Sequence, residues 1–118
     1  MKHNFRELNI WKDSVEFGVQ VYSLTRKFPS EEKYGLTSQL NRSSISISSN
    51  IAEGSGRTTN KEFSRFLDIT LASSYEVETQ LIIAKRLYPN FTNETDLLYQ
   101  KLRSIQKRVV VFQRKLNP

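Results

Sequence analysis

The 118-residue sequence predicts an all-α protein, an antiparallel up-down-up-down four-helix bundle forming one domain over residues 1–118. Three observations point there. Apolar residues recur at steps of three and four through four long segments. Breakers separate those segments: Phe28-Pro29, Gly54 with Gly56, and Tyr88-Pro89. The connections are so short that each can only return the chain beside the helix just left.

In the first segment Leu8, Trp11, Val15, Val19 and Tyr22 share one helix face, which places this stripe, Trp11 and Tyr22 included, in the core. Ser30, followed by Glu31 and Glu32, predicts a serine-capped start for the second helix. That helix carries Leu36, Leu40, Ile47 and Ile51 on one stripe. Its middle, Ser43 to Ser49, alternates like a strand, but the stripe continues through both ends, and small residues at this spacing let a neighbouring helix come close. Gly54 and Gly56 supply the permissive backbone that ends it.

Asn60 is the expected cap of the third helix, with Glu62 in the first turn. Its inner face is Phe63, Phe66, Leu67, Thr70, Ser74, Val77, Leu81 and Ala84. The fourth helix starts within Asn90–Glu94 and carries Leu98, Leu102, Ile105, Val109, Phe112 and Leu116 at alternating steps of four and three, the pattern of a narrow packing seam.

Charge singles out this last helix. Lys and Arg total 18 against 12 Asp and Glu, a formal charge of +6. From Met1 to Asp96 the count is 12 basic and 12 acidic; from Leu97 to Pro118 it is 6 and 0. At about 100° per residue, Arg103, Lys107 and Arg114 gather opposite the seam, while Lys101, Arg108 and Lys115 run along one flank. Tyr99 sits about 40° from Arg103, where an aromatic and a cation together suit an unpaired nucleotide. Val110 and Val111 fall off the seam, leaving apolar surface that implies either a helix deep in the bundle or, the reading we favour, contact with another subunit. The basic excess implies an anionic partner, RNA or DNA, reached mainly through its phosphates. The competing expectation is a protein-interaction or scaffold module whose basic face is solvated or meets an acidic protein.

Other chemistries find little footing. The sequence has no cysteine, which excludes disulfides, thiolate metal sites and cysteine nucleophiles and fits a reducing compartment. His3 is the only imidazole. Glu53-Gly54-Ser55-Gly56-Arg57 lacks the lysine, the spacing and the preceding strand of a phosphate loop. Glu76 and Glu78, with Glu53, cannot complete a di-iron site without histidines, and are expected instead to pair separately with cations such as Arg42 or Arg57. Serines lack a base. We therefore expect no enzyme, metal, cofactor or small-molecule substrate. No segment approaches the roughly 20 apolar residues of a membrane span, and the N-terminus lacks a secretory core, so the chain reads as soluble and cytoplasmic.

Several strings together resemble one family: LNIW at Leu8–Trp11, VYSLTRKFP at Val21–Pro29, EKYGLTSQL at Glu32–Leu40, SSNIAEGSGR at Ser48–Arg57, Phe66-Leu67, and EVETQL at Glu76–Leu81. The sequence is similar to the four-helix-bundle proteins encoded in intervening sequences of bacterial 23S rRNA genes, related to the accessory protein of diversity-generating retroelements. The resemblance implies a ring-like homopentamer with a basic surface able to engage RNA or DNA without catalysis. The family's motif positions fall on Gln39, Arg42, Asn50, Glu53, Gly54, Arg57, Glu78 and Gln80. As polar groups and a glycine they would fix helix packing or subunit contacts, Arg42 and Arg57 by bidentate pairing with carboxylates. Asn41 stands before Arg42 where the family carries Arg or Lys.

Overall fold

The computed structural model describes residues 3–117. Four helices, α1 (Asn9–Thr25), α2 (Leu36–Ser55), α3 (Asn60–Leu87) and α4 (Thr92–Leu116), are joined through short links. Single 3-10 turns at Phe5–Glu7, Ser30–Glu32 and Pro89–Phe91 precede α1, α2 and α4. Each helix packs on its neighbours in sequence and α4 closes on α1, which makes a four-cornered antiparallel bundle of 46 × 23 × 20 Å. No strand occurs among the described residues.

The core is one cluster. Phe17, Val21, Leu40, Ile47, Ile51, Phe63, Leu67, Val77, Leu81, Leu102, Ile105 and Val109 are fully enclosed. The expected stripes of α2, α3 and α4 face this cluster, with Leu36 and Phe112 at its margin, except Phe66, which is only partly buried and packs beside Gly54 and under Arg57 instead. In α1 the expectation fails. The core takes Ile10, Ser14, Phe17, Val21 and Leu24, while Val15, Val19 and Tyr22 are exposed, Val19 by 56%. Leu8 and Trp11 are partly buried at the edge, and Trp11 meets the Phe5 ring edge-on at 4.9 Å. The helix carries two apolar stripes, separated by roughly 140° around its axis. The one holding Phe17 and Leu24 takes the interior.

The serine-rich middle of α2 is helical because its hydroxyls find partners without breaking the helix. Ser44 Oγ donates to the Asn41 carbonyl at 3.0 Å, Ser46 and Ser73 share a hydrogen bond of 2.8 Å across to α3, and Thr70 Oγ1 donates to the Ile47 carbonyl at 3.2 Å. Small side chains bring α2 and α3 together, and satisfied hydroxyls make their burial tolerable.

Two helix starts, and the reason for one helix end, differ from expectation. Ser30 opens a 3-10 turn rather than α2; Glu32 supplies the cap instead, its Oε1 accepting from the Leu36 amide at 3.3 Å. Thr59, not Asn60, caps α3, accepting from the Glu62 amide at 3.1 Å, while Asn60 Nδ2 donates to the Leu116 carbonyl at 3.3 Å. Gly56 follows α2 with φ −86°, an ordinary right-handed value, so no left-handed residue ends the helix. Gly54 lies inside α2, where a Cβ would stand 2.6 Å from Phe66 Cβ and 2.8 Å from Phe63 Cδ1. Its requirement is close approach to α3, not a turn.

Candidate nucleic-acid interface

The seam of α4 decides what its other side can do. Leu98, Leu102, Ile105, Val109 and Leu116 are buried, which fixes the rotation of the helix and turns Arg103, Lys107 and Arg114 outward. All three are exposed, as is Lys115. Among the described residues none of these four forms an ion pair with an acid. Arg103 is held in place without losing its charge: its guanidinium donates to Gln106 Oε1 at 2.9 Å, and Gln106 Nε2 donates to Glu78 Oε1 at 3.0 Å. Gln106 is only 3% exposed, so this relay is anchored in the α3–α4 contact.

The flank is more engaged. Arg108 pairs with Asp13 of α1 at 2.6 Å, both side chains about half exposed, and Lys101 Nζ donates to Gln20 Oε1 at 2.9 Å. These contacts clamp α4 to α1 and reduce what Lys101 and Arg108 offer outside. Among the described residues, Lys115 is the flank cation without a side-chain partner.

Tyr99, half-buried, is the hinge between two surface features. On one side it opens a shallow basin with Gln100, Arg103, Ser104, Lys107 and Arg108. On the other it walls a recess of about 220 Å³ between α3 and α4, completed by Leu81, Ile82, Lys85, Thr95 and Asp96. Lys85 and Asp96 pair at 2.8 Å on the rim of that recess. Sequence periodicity assigned Leu81 to the core but gave no sign of the recess, which lies between α3 and α4 beside the buried Thr95.

The family-motif residues disperse. Gln39, Arg42, Glu53 and Arg57 lie on the protomer surface, whereas Gly54 is buried and Asn50, Glu78 and Gln80 are partly so. Asn50 Nδ2 donates to the Ser46 carbonyl at 2.8 Å. Arg57 lies over the Phe66 ring, 4.6 Å from its centre. Glu78 takes Gln106 as its partner, and neither it nor Glu76 pairs with Arg42 or Arg57 among the described residues; Arg57 is drawn to an aromatic face, and Arg42 stands on the far side of α2. Gln80 Oε1 is buried without a hydrogen-bond partner among the described residues. No cluster of three His, Asp or Glu side chains is placed to hold a metal among the described residues, and none of their helices is long and apolar enough to cross a membrane.

The exposed α1 stripe forms a second surface. Val15, Gly18, Val19 and Tyr22 face Ile45 and Ser48 of α2 across a groove of about 340 Å³.

With this geometry in hand, comparison with known proteins is decisive on kinship. The model of the 23S rRNA-intervening sequence proteins matches residues 6–110. The chain belongs to that family. The fold agrees with a crystal structure of a protein of unknown function from the S23 ribosomal protein family of Bacteroides thetaiotaomicron VPI-5482. The two share 24% identity over 88% of this chain and 97% of the other, with a TM-score of 0.81. No curated protein matches the sequence. The matched span ends at residue 110, so the family match takes in Arg103, Lys107 and Arg108 and stops short of Arg114 and Lys115.

Proposed function

We propose that this member of the 23S rRNA-intervening sequence family is a non-catalytic, self-assembling cytoplasmic protein that binds RNA or DNA through the outer face of α4. The observation that carries the reading is the row Arg103, Lys107 and Arg114, exposed and free of acidic partners among the described residues, on a helix whose opposite side is buried. Arg103 to Arg114 spans about 16 Å along the axis, several phosphate steps of a nucleic-acid strand. Such contacts give affinity with little sequence preference. The family's name supports an RNA setting.

Self-association multiplies these patches, and several weak contacts presented together hold a long polyanion by avidity. The resemblance implies a homopentamer. Two features of the protomer support assembly of some order: the uncovered apolar groove, and a glycine at its centre. Gly18 sits mid-helix with nothing within 4 Å of where a Cβ would be, so no neighbour inside the protomer accounts for it. The exposed positions Gln39, Arg42, Glu53 and Arg57 are available for the same contacts.

Light-scattering mass combined with retention of labelled RNA and DNA near physiological salt tests this reading. The expected result is an oligomer that retains nucleic acid and releases it as salt rises. An oligomer that retains neither RNA nor DNA would overturn it in favour of a scaffold whose basic face meets an acidic protein.

A further inference from the structure

The recess beside Tyr99 lies where a phosphate-binding face alone has no use for it. It is apolar along Leu81, Ile82 and the Tyr99 ring, carries polar atoms of Lys85, Thr95 and Asp96, and measures about 220 Å³. That is below the roughly 300–1,000 Å³ of pockets that take drug-sized molecules, and suits a single planar ring system. Tyr99 also borders the basic basin of Arg103 and Lys107. An occupant of the recess therefore has cations one and two helical turns away along α4.

From this juxtaposition we infer that the recess receives one unpaired base of a single strand, stacked against Tyr99, while the adjoining phosphates lie on Arg103 and Lys107. The inference rests on the nucleic-acid reading above and narrows it to a strand class. A flat apolar wall beside a row of cations matches a nucleotide, which is an aromatic face joined to an anion. A duplex matches only the cations, because its bases are stacked on one another and cannot enter. The Lys85–Asp96 pair contributes a donor and an acceptor at the mouth, where base edges carry both. The Thr95 hydroxyl is already committed to the Phe91 and Thr92 carbonyls, which holds the floor of the recess in shape.

The test uses the whole protein and 2-aminopurine-labelled oligonucleotides, as single-stranded RNA, single-stranded DNA and the matching duplexes. Binding of the single strands quenches the 2-aminopurine, and Tyr99→Ala weakens single-strand affinity about 5- to 100-fold at fixed salt, the range for loss of one base–aromatic stack. Tyr99→Phe keeps both affinity and quenching. Ile82→Glu, at an exposed rim position and therefore tolerated by the fold, weakens single strands as Tyr99→Ala does. Duplex affinity and the salt slope do not respond to Tyr99→Ala or Tyr99→Phe. Wild-type-like single-strand binding in both Tyr99→Ala and Ile82→Glu overturns the base assignment and leaves phosphate binding intact. Failure of every oligonucleotide to bind overturns the nucleic-acid reading itself. The RNA and DNA arms separate the two sources of the same ligand chemistry.

Discussion

Single residues show how a sequence signal can be right in kind and wrong in role. Gly54 reads as a helix stop, yet it sits inside α2 because any larger side chain would collide with Phe63 and Phe66. Gly18 attracts no notice in the sequence, yet the protomer holds no reason for it. The two glycines make opposite predictions. Gly54→Ala forces α2 and α3 apart and lowers the free energy of unfolding by about 1–3 kcal/mol in urea titrations. Gly18→Ala removes the backbone-entropy cost of a helical glycine and raises the stability of the dissociated protomer by about 0.5–1 kcal/mol, while the scattering mass of the assembly falls. Unchanged mass in Gly18→Ala would remove the α1 groove from the subunit contacts. The buried serines were legible only as ambiguity, since alternation and helical spacing coexist from Ser43 to Ser49; hydrogen bonds to carbonyls, invisible in a sequence, resolve it.

At the scale of elements, legibility tracks the number of apolar stripes a helix carries. The inner faces of α3 and α4 were readable, Phe66 apart, because the buried residues of each continue one periodic stripe from end to end. In α1 two stripes compete, and the choice depends on what α2 and α4 present to it, which no local pattern contains. Helix starts were harder still, because Glu32 caps α2 from a preceding turn rather than from the neighbouring position. Glu32 also accepts a hydrogen bond from the Tyr88 hydroxyl, pinning the α1–α2 link to the α3–α4 link beside the packed rings of Phe28 and Phe91. This bond, with partial burial and the charges of Glu32 and Glu31, raises the Tyr88 hydroxyl from 10.0 to about 12. The neutral phenol is thus the form the fold favours. Its contribution is whole below the ordinary value of 10.0 and drains away as pH climbs from there to about 12. The urea midpoint of wild type should exceed that of Tyr88→Phe by a constant margin below that window and lose the margin across it. A margin that survives unchanged at the upper end would contradict the assignment.

For the whole molecule, the decisive signal was where charge lies along the chain. Acids and bases balance up to Asp96, and every charge after it is basic, so the sequence alone pointed to α4. Folding then sorts those six cations in a way the sequence could not show. Asp13 and Gln20 of α1 engage Arg108 and Lys101, because the α1–α4 corner brings them together over a separation of more than 80 residues. Arg103, Lys107, Arg114 and Lys115 stay outside. The bundle thus divides α4 into a buried edge that holds the fold and an outer face tied to it among the described residues by the Arg103–Gln106 hydrogen bond, so the outer cations can be removed at modest cost without unfolding the protein. The most direct measurement is the salt dependence of nucleic-acid affinity for wild type and the variant carrying Arg103→Gln, Lys107→Gln and Arg114→Gln, with thermal melts of both. The account predicts cooperative melts for both, the variant's lowered only by loss of the Arg103–Gln106 hydrogen bond, and a slope of log K against log salt shallower by about 2 for single strands for each protomer in contact, since each lost phosphate contact removes about 0.7. An unchanged slope in the folded variant would contradict it.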